Sequence, residues 1–100
     1  MKVITISGSM RFEKQMQQIA YDLEKQGNCV IQGVYSDEKT TNLDELKNIM
    51  DAHWKKIELC DTVYVVNIGG YIGASTREEI EYGKSIGKKI VYHEPIDKNV

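Results

Sequence analysis

The feature that most restricts how this 100-residue chain can fold is a hydrophobic period that switches repeatedly along its length. Val3, Ile4 and Ile6 form a short strand-like run. Phe12, Met16, Ile19, Ala20 and Leu23 then recur at helical spacing, and Gly27 closes that helix. Cys29, Val30, Ile31 and Val34 read as a second strand, followed by a polar loop from Tyr35 to Thr41. Leu43, Leu46, Met50, His53, Ile57 and Cys60 share one helical face, with Asn42 or Thr41 as cap. Thr62 to Val66 is β-branched or aromatic and apolar on both faces, the pattern of a strand covered on both sides of a parallel sheet. A glycine-rich turn, Gly69 to Gly73, leads into Ser75-Thr76-Arg77-Glu78, which has capping-box form and opens a third helix. Gly83 suits a close approach of that helix to the sheet; Gly87 ends it, and Lys89 to Tyr92 form a fourth strand.

The order β-α-β-α-β-α-β implies a parallel sheet with right-handed crossovers and helices on both faces. We expect a flavodoxin-like, Rossmann-like three-layer α/β sandwich with strand order 2-1-3-4, in which residues 1–100 form one domain. Composition then excludes several classes. Thirteen Lys and Arg against fifteen Asp and Glu give a net charge of −2, unsuited to gripping a nucleic-acid polymer or an anionic membrane. An apolar fraction of 41% excludes disorder. No apolar run approaches the roughly 20 residues of a membrane span, and the first residues lack a signal-peptide core. Cys29 and Cys60 stand in unrelated surroundings without a CxxC pair, so neither a metal nor a redox cofactor is expected. A reduced, cytoplasmic protein is the corresponding expectation.

Strand order 2-1-3-4 puts a topological switch point between the first and third strands, where open α/β sheets bind ligands. Two loops meet there: Ser7-Gly8-Ser9-Met10-Arg11 and the segment from Gly69 to Thr76, with Arg77 beside it. Glycines admit a ligand to backbone N–H groups, hydroxyls add donors, and a helix N-terminus adds positive potential. The combination suits a phosphate or another anion. The same residues also suit two tight turns and an ordinary helix cap. The Walker and dinucleotide glycine motifs are absent, and Ser7-Gly8-Ser9 and Asn67 stand where a phospho-receiver domain needs acids. With Ser75 as N-cap, Glu78 reaches back to the cap and Glu79 stands at the fourth helical position, where the helix field favours an anion. An ionised carboxylate beside an anion-binding loop can attack an anomeric carbon or stabilise an oxocarbenium ion. The plainer alternative is a solvated glutamate on a charged helix.

The stretch from Val65 to Gly83, followed by Ile86-Gly87-Lys88-Lys89-Ile90, resembles the nucleoside 2-deoxyribosyltransferase-like superfamily, which includes nucleoside-monophosphate N-glycosidases. Ser7-Gly8-Ser9 matches its opening loop, and Asp61 matches an acidic residue ahead of the third strand. The resemblance implies that Glu79 is a catalytic glutamate forming a glycosyl-enzyme intermediate. It places Ser7, Gly8, Ser9, Met10 and Arg11 in a loop that meets base, sugar or 5′-phosphate, and Gly70, Tyr71, Gly73, Ser75 and Thr76 around the second substrate loop. His53, eight residues before Asp61, departs from the family's proton-transferring Asp, and Gly73 stands where relatives carry Asp or Ser. His53 lies on the stripe with Met50 and Ile57, so its ring should face the sheet. There it either donates a proton to a departing base or is a buried histidine bonded to backbone.

Tyr71, on a loop tip, is a candidate for stacking on a base. Trp54 suits packing against a helix or a second subunit, while Tyr64 and His93 read as structural. The expected function is cleavage or transfer at the N-glycosidic bond of a nucleoside or nucleotide, phosphorylated by the count of Arg11, Arg77 and nearby hydroxyls. The alternatives are a catalytically inactive nucleotide or ADP-ribose-like binding module and a pure interaction domain. TIR-like NADases share a comparable layout and a glutamate, and the resemblance to the deoxyribosyltransferase-like superfamily implies a site completed across a homodimer.

Overall fold

A computed structural model describes residues 1–96. Four strands, β1 (Val3–Gly8), β2 (Cys29–Ile31), β3 (Thr62–Val66) and β4 (Lys89–Tyr92), alternate with helices α1 (Glu13–Lys25), α2 (Leu43–Leu59) and α3 (Ala74–Ser85). All pairings are parallel, in the expected order β2-β1-β3-β4. The register Ser7↔Val65 and Gly8↔Val66 brings the C-terminal ends of β1 and β3 level, so their following loops start side by side.

Side-chain alternation divides the core between two faces. Ile6 and Val66 pack with Phe12, Met16 and Ala20 on the α1 side, while Val63 and Val65 pack with Ile57, Cys60 and Ile80 on the α2/α3 side. On β1, Thr5 and Ser7 therefore face α2 and α3 and carry hydroxyls instead of apolar groups. Thr5 Oγ1 donates to the Lys56 carbonyl at 2.7 Å, tying α2 to the sheet. At Gly83 of α3, an added Cβ would stand 3.2 Å from both Ile90 Cδ1 and Val63 Cγ2, so a bare Cα lets the helix sit close.

Several local expectations change. The stripe on α2 does not lie on the sheet along its whole length: only Ile57 of that helix is buried, while Leu43, Leu46 and Met50 are exposed. Length explains this. Seventeen helical residues run about 25 Å, whereas a five-residue strand such as β3 runs about 17 Å. Since α2 is antiparallel to β3, its N-terminal half overhangs the C-terminal edge of the sheet. Its cap is Asn42, whose side chain accepts from the Glu45 N–H at 3.0 Å. Strand β2 stops at Ile31, leaving Val34 exposed in the connection to α2. The capping box around Ser75 does not form. Helix α3 starts at Ala74 with the extended Gly73 (φ −76°, ψ 171°) as N-cap, and glycine has no side chain to make a cap bond. Glu79 thus becomes the sixth helical residue, beyond the first turn where the helix field acts most strongly. Asp61 accepts from the Val3 N–H at 2.8 Å and so belongs to the N-terminal edge of the sheet, opposite the switch point.

Candidate active site

Three residues far apart in sequence meet at the C-terminal edge of β1. Ser7 is buried at 2% exposure, and its hydroxyl donates to Glu79 Oε2 at 2.7 Å. His53 Nδ1, from α2, lies 3.2 Å from Glu79 Oε1. A carboxylate oxygen only accepts, so the ring N–H donates. The Glu79 side chain is 15% exposed and that of His53 34%, so both reach solvent while remaining fixed. The Ser7 hydroxyl is buried and engaged with Glu79. Glu79 is the group presented outward.

That carboxylate borders a hollow of about 1010 Å³ formed where α2 overhangs the sheet. Met10, Val34, Leu46, Ile49, Met50 and Trp54 give it apolar walls, while Lys39, Thr40 and Asn48 are among its polar lining groups. Ser75, at the start of α3, joins Glu79 and His53 along it. A narrower hollow lies between Ser7, Gly8 and Met10 on one side and Gly33 to Tyr35 on the other, again bordered by Glu79 and His53. Burial, and then the charge of Glu13, raise the Tyr35 phenol above its ordinary pKa. Mostly apolar walls with a few convergent polar groups are the usual make-up of a small-molecule site. Among the described residues, no group of three or more His, Cys, Asp or Glu is placed to hold a metal ion.

The remaining candidates are engaged elsewhere. Ser9 Oγ accepts from the Arg11 N–H at 3.3 Å and caps the 3₁₀ turn Met10–Phe12. The Arg11 guanidinium lies 3.7 Å from the centre of the Tyr71 ring, and Phe12 meets that ring edge-on at 6.1 Å. The two loops do meet, then, but through this stack; Arg11, Gly70, Tyr71, Gly73 and Thr76 border neither hollow. Thr76 is buried. Nor do the amides of the glycine turn form an open anion cradle. The Gly69 N–H donates to Glu94 Oε1 at 3.1 Å, that of Gly70 to the Asn67 carbonyl at 2.8 Å, and that of Tyr71 to the Ile68 carbonyl at 3.3 Å. Asn67 fixes the other side of this strap, exchanging bonds of 3.0 and 2.8 Å with the Glu94 backbone. Arg77 borders neither hollow, so the cation along the larger one is Lys39.

Trp54 packs edge-on against Tyr82 at 5.0 Å, and the Tyr82 hydroxyl donates to Glu58 Oε2 at 2.6 Å. These contacts join α2 to α3 and hold His53 in register with Glu79. His93 Nδ1 lies 2.8 Å from the Tyr64 hydroxyl, a structural pairing. The sequence reading missed the wall from Gly33 to Thr40. There Val34 reads as the end of the second strand, and Tyr35 is the one aromatic of the polar loop that follows.

No family model matches the sequence, and no curated protein matches it. Solved structures do. A 2-desoxiribosyltransferase from Leishmania mexicana superposes with a TM-score of 0.71 at 16% identity, over 92% of this chain and 63% of that one. The chain has the nucleoside 2-deoxyribosyltransferase-like fold. A CMP N-glycosidase, BcmB, from Clostridium botulinum superposes with a TM-score of 0.61 at 20% identity, over 91% of this chain and 70% of that one. The chain therefore spans less than two thirds of the Leishmania protein's length, while nearly all of it takes part in the match.

Proposed function

We propose that the chain cleaves or transfers the N-glycosidic bond of a nucleoside or nucleoside monophosphate, with Glu79 as nucleophile. The observation that carries this reading is the Glu79 carboxylate, hydrogen-bonded through both oxygens and set at the border of an apolar hollow. The named activities of two structures with this fold, a deoxyribosyl transfer and a CMP N-glycosidase, support the same reaction class. Apolar walls receive the base, and a carboxylate oxygen of Glu79 forms a bond to C1′ as the bond from C1′ to the base nitrogen breaks. The electron pair leaves with the base, which takes a proton from Nε2 of a His53 imidazolium and leaves the ring neutral. Water then completes hydrolysis, or a second base completes transfer.

The exposed apolar residues of α2 support a homodimer in which a second copy covers part of this hollow. Unpaired thiols at Cys29 and Cys60 suit a cytoplasmic setting. The test is base release by wild type and Glu79→Gln, followed by chromatography over nucleosides, nucleotides and NAD. Release by wild type should fall in the variant by at least about 10³-fold, the scale lost with a covalent nucleophile. Equal turnover removes Glu79 from the reaction. Thermal stabilisation by a nucleotide without any product would favour a binding module instead.

A further inference from the structure

The two partners of the Glu79 carboxylate are unequal. Ser7 belongs to β1, an inner strand paired with β2 on one side and β3 on the other. It is 2% exposed, and the next residue, Gly8, is pressed between Met16 and Val66. Its hydroxyl is thus a neutral donor on backbone that has little room to move, and it stays protonated at any working pH. His53 is half-buried on the wall of the open hollow, on the overhanging helix. Oxygen Oε2 is held by the buried donor, and Oε1 by the histidine that lines the larger hollow. The terminal torsion of a free glutamate is broad and roughly two-fold, so a carboxylate without such an anchor would not present one oxygen consistently.

We propose that Ser7 is a positioning residue: it anchors Oε2 and so assigns attack on C1′ to Oε1. The inference rests on the glycosyl reading above. As the Oε1–C1′ bond forms, the C1′–N bond breaks and its electron pair leaves with the base, which is protonated from Nε2 of a His53 imidazolium, leaving the neutral ring. Oε2 becomes the carbonyl oxygen of the glycosyl ester, still accepting from Ser7, which keeps its proton throughout. When water attacks C1′, its proton goes to His53 and Glu79 leaves as a carboxylate, restoring the starting bonds. Misorientation of a nucleophile lowers the rate of the chemical step while leaving substrate contacts in place, so the effect belongs to kcat.

The experiment compares wild type with Ser7→Ala, Ser7→Cys and Ser7→Thr. Two quantities are read: steady-state base release, and the rate at which a 2-deoxy-2-fluoro nucleoside 5′-monophosphate adds its sugar to Glu79, followed by intact mass. Ser7→Cys keeps the size of the side chain but not a strong donor, which guards against a variant that merely folds badly; melting curves check each protein. Ser7→Ala and Ser7→Cys should lose about 10–100-fold in kcat and in labelling rate, with KM changed by no more than about twofold. Ser7→Thr, which retains the hydroxyl, should recover most of the loss. Wild-type rates in both Ser7→Ala and Ser7→Cys overturn the assignment of Ser7 alone, as does a raised KM at unchanged kcat. A wild type that neither labels nor releases base overturns the glycosyl reading and this inference together.

Discussion

Gly8 and Gly33 both border the narrow hollow, yet they answer to different physics. A Cβ on Gly8 would stand 2.9 Å from Met16 Sδ, 3.1 Å from Val66 Cβ and 3.2 Å from the Val66 carbonyl oxygen. Met16 can yield, but the two Val66 atoms belong to the fixed frame of β3. Gly8→Ala should therefore destabilise the fold by about 1–3 kcal/mol, the usual cost of overpacking. A Cβ on Gly33 meets nothing within 4 Å, and its φ is not in the left-handed region. Gly33→Ala should be neutral or stabilise by up to about 1 kcal/mol through the unfolded chain. Urea unfolding of the two variants beside wild type checks the pair, and a Gly8→Ala midpoint at or above wild type would contradict the packing account. The sequence marked Gly8 as a residue that admits a ligand, because residue type alone does not say what stands opposite a missing Cβ. Glu79 and His53 were legible as candidates through the family-like pattern, with a helical stripe placing the His53 ring. Their 3.2 Å contact was not, since it depends on how two helices pack.

At the scale of the element, α2 shows what periodicity can and cannot tell. The spacing of Leu43, Leu46, Met50, His53 and Ile57 defines a face, but not how far the sheet extends beneath it. The overhang follows from the shortness of the strands, and it creates the outer hollow. It also leaves Leu46 and Ile49 40% and 48% exposed beside Met50 and Val34. Such an apolar cluster on a folded surface marks an interaction site, and a second copy of the chain is the occupant proposed above. Sedimentation should give a mass near twice 11.4 kDa for wild type. Leu46→Glu combined with Ile49→Glu should sediment as a monomer while melting like a folded protein, because neither side chain is buried in the core. A wild-type protein of monomer mass at high concentration would rule the dimer out. Element starts were less legible than element types. Ser75 had the chemistry of a cap, but the extended backbone of Gly73 begins the helix two residues earlier.

Across the whole molecule, topology was the most legible property, because four short apolar runs separated by helix-length segments leave few ways to bury both faces of a sheet. What the pattern could not supply is how buried each tyrosine becomes, and that sets a molecule-wide response to alkali. Burial raises the Tyr64 phenol above its ordinary pKa, burial and then Glu13 raise that of Tyr35, and the bond to Glu58, followed by burial, raises that of Tyr82. The direction of linkage follows. Below the ordinary tyrosine value of 10.0 these phenols are protonated in both folded and unfolded chains, so they make stability independent of pH. Above it the unfolded chain releases their protons first, which favours unfolding, and their contribution is lost as pH rises through the raised folded values. Urea midpoints should therefore stay level near pH 8 and fall as the pH rises above about 10. Tyrosinate absorbance of the folded protein should lag behind that of the urea-unfolded chain over the same interval. Tyr64→Phe removes one of the three groups, so its midpoint should fall less steeply with pH, whatever it loses at neutrality with the His93 contact. A variant as steep as wild type would mean that the Tyr64 phenol titrates alike in both states, and that its surroundings on β3 are wetter than its packing indicates.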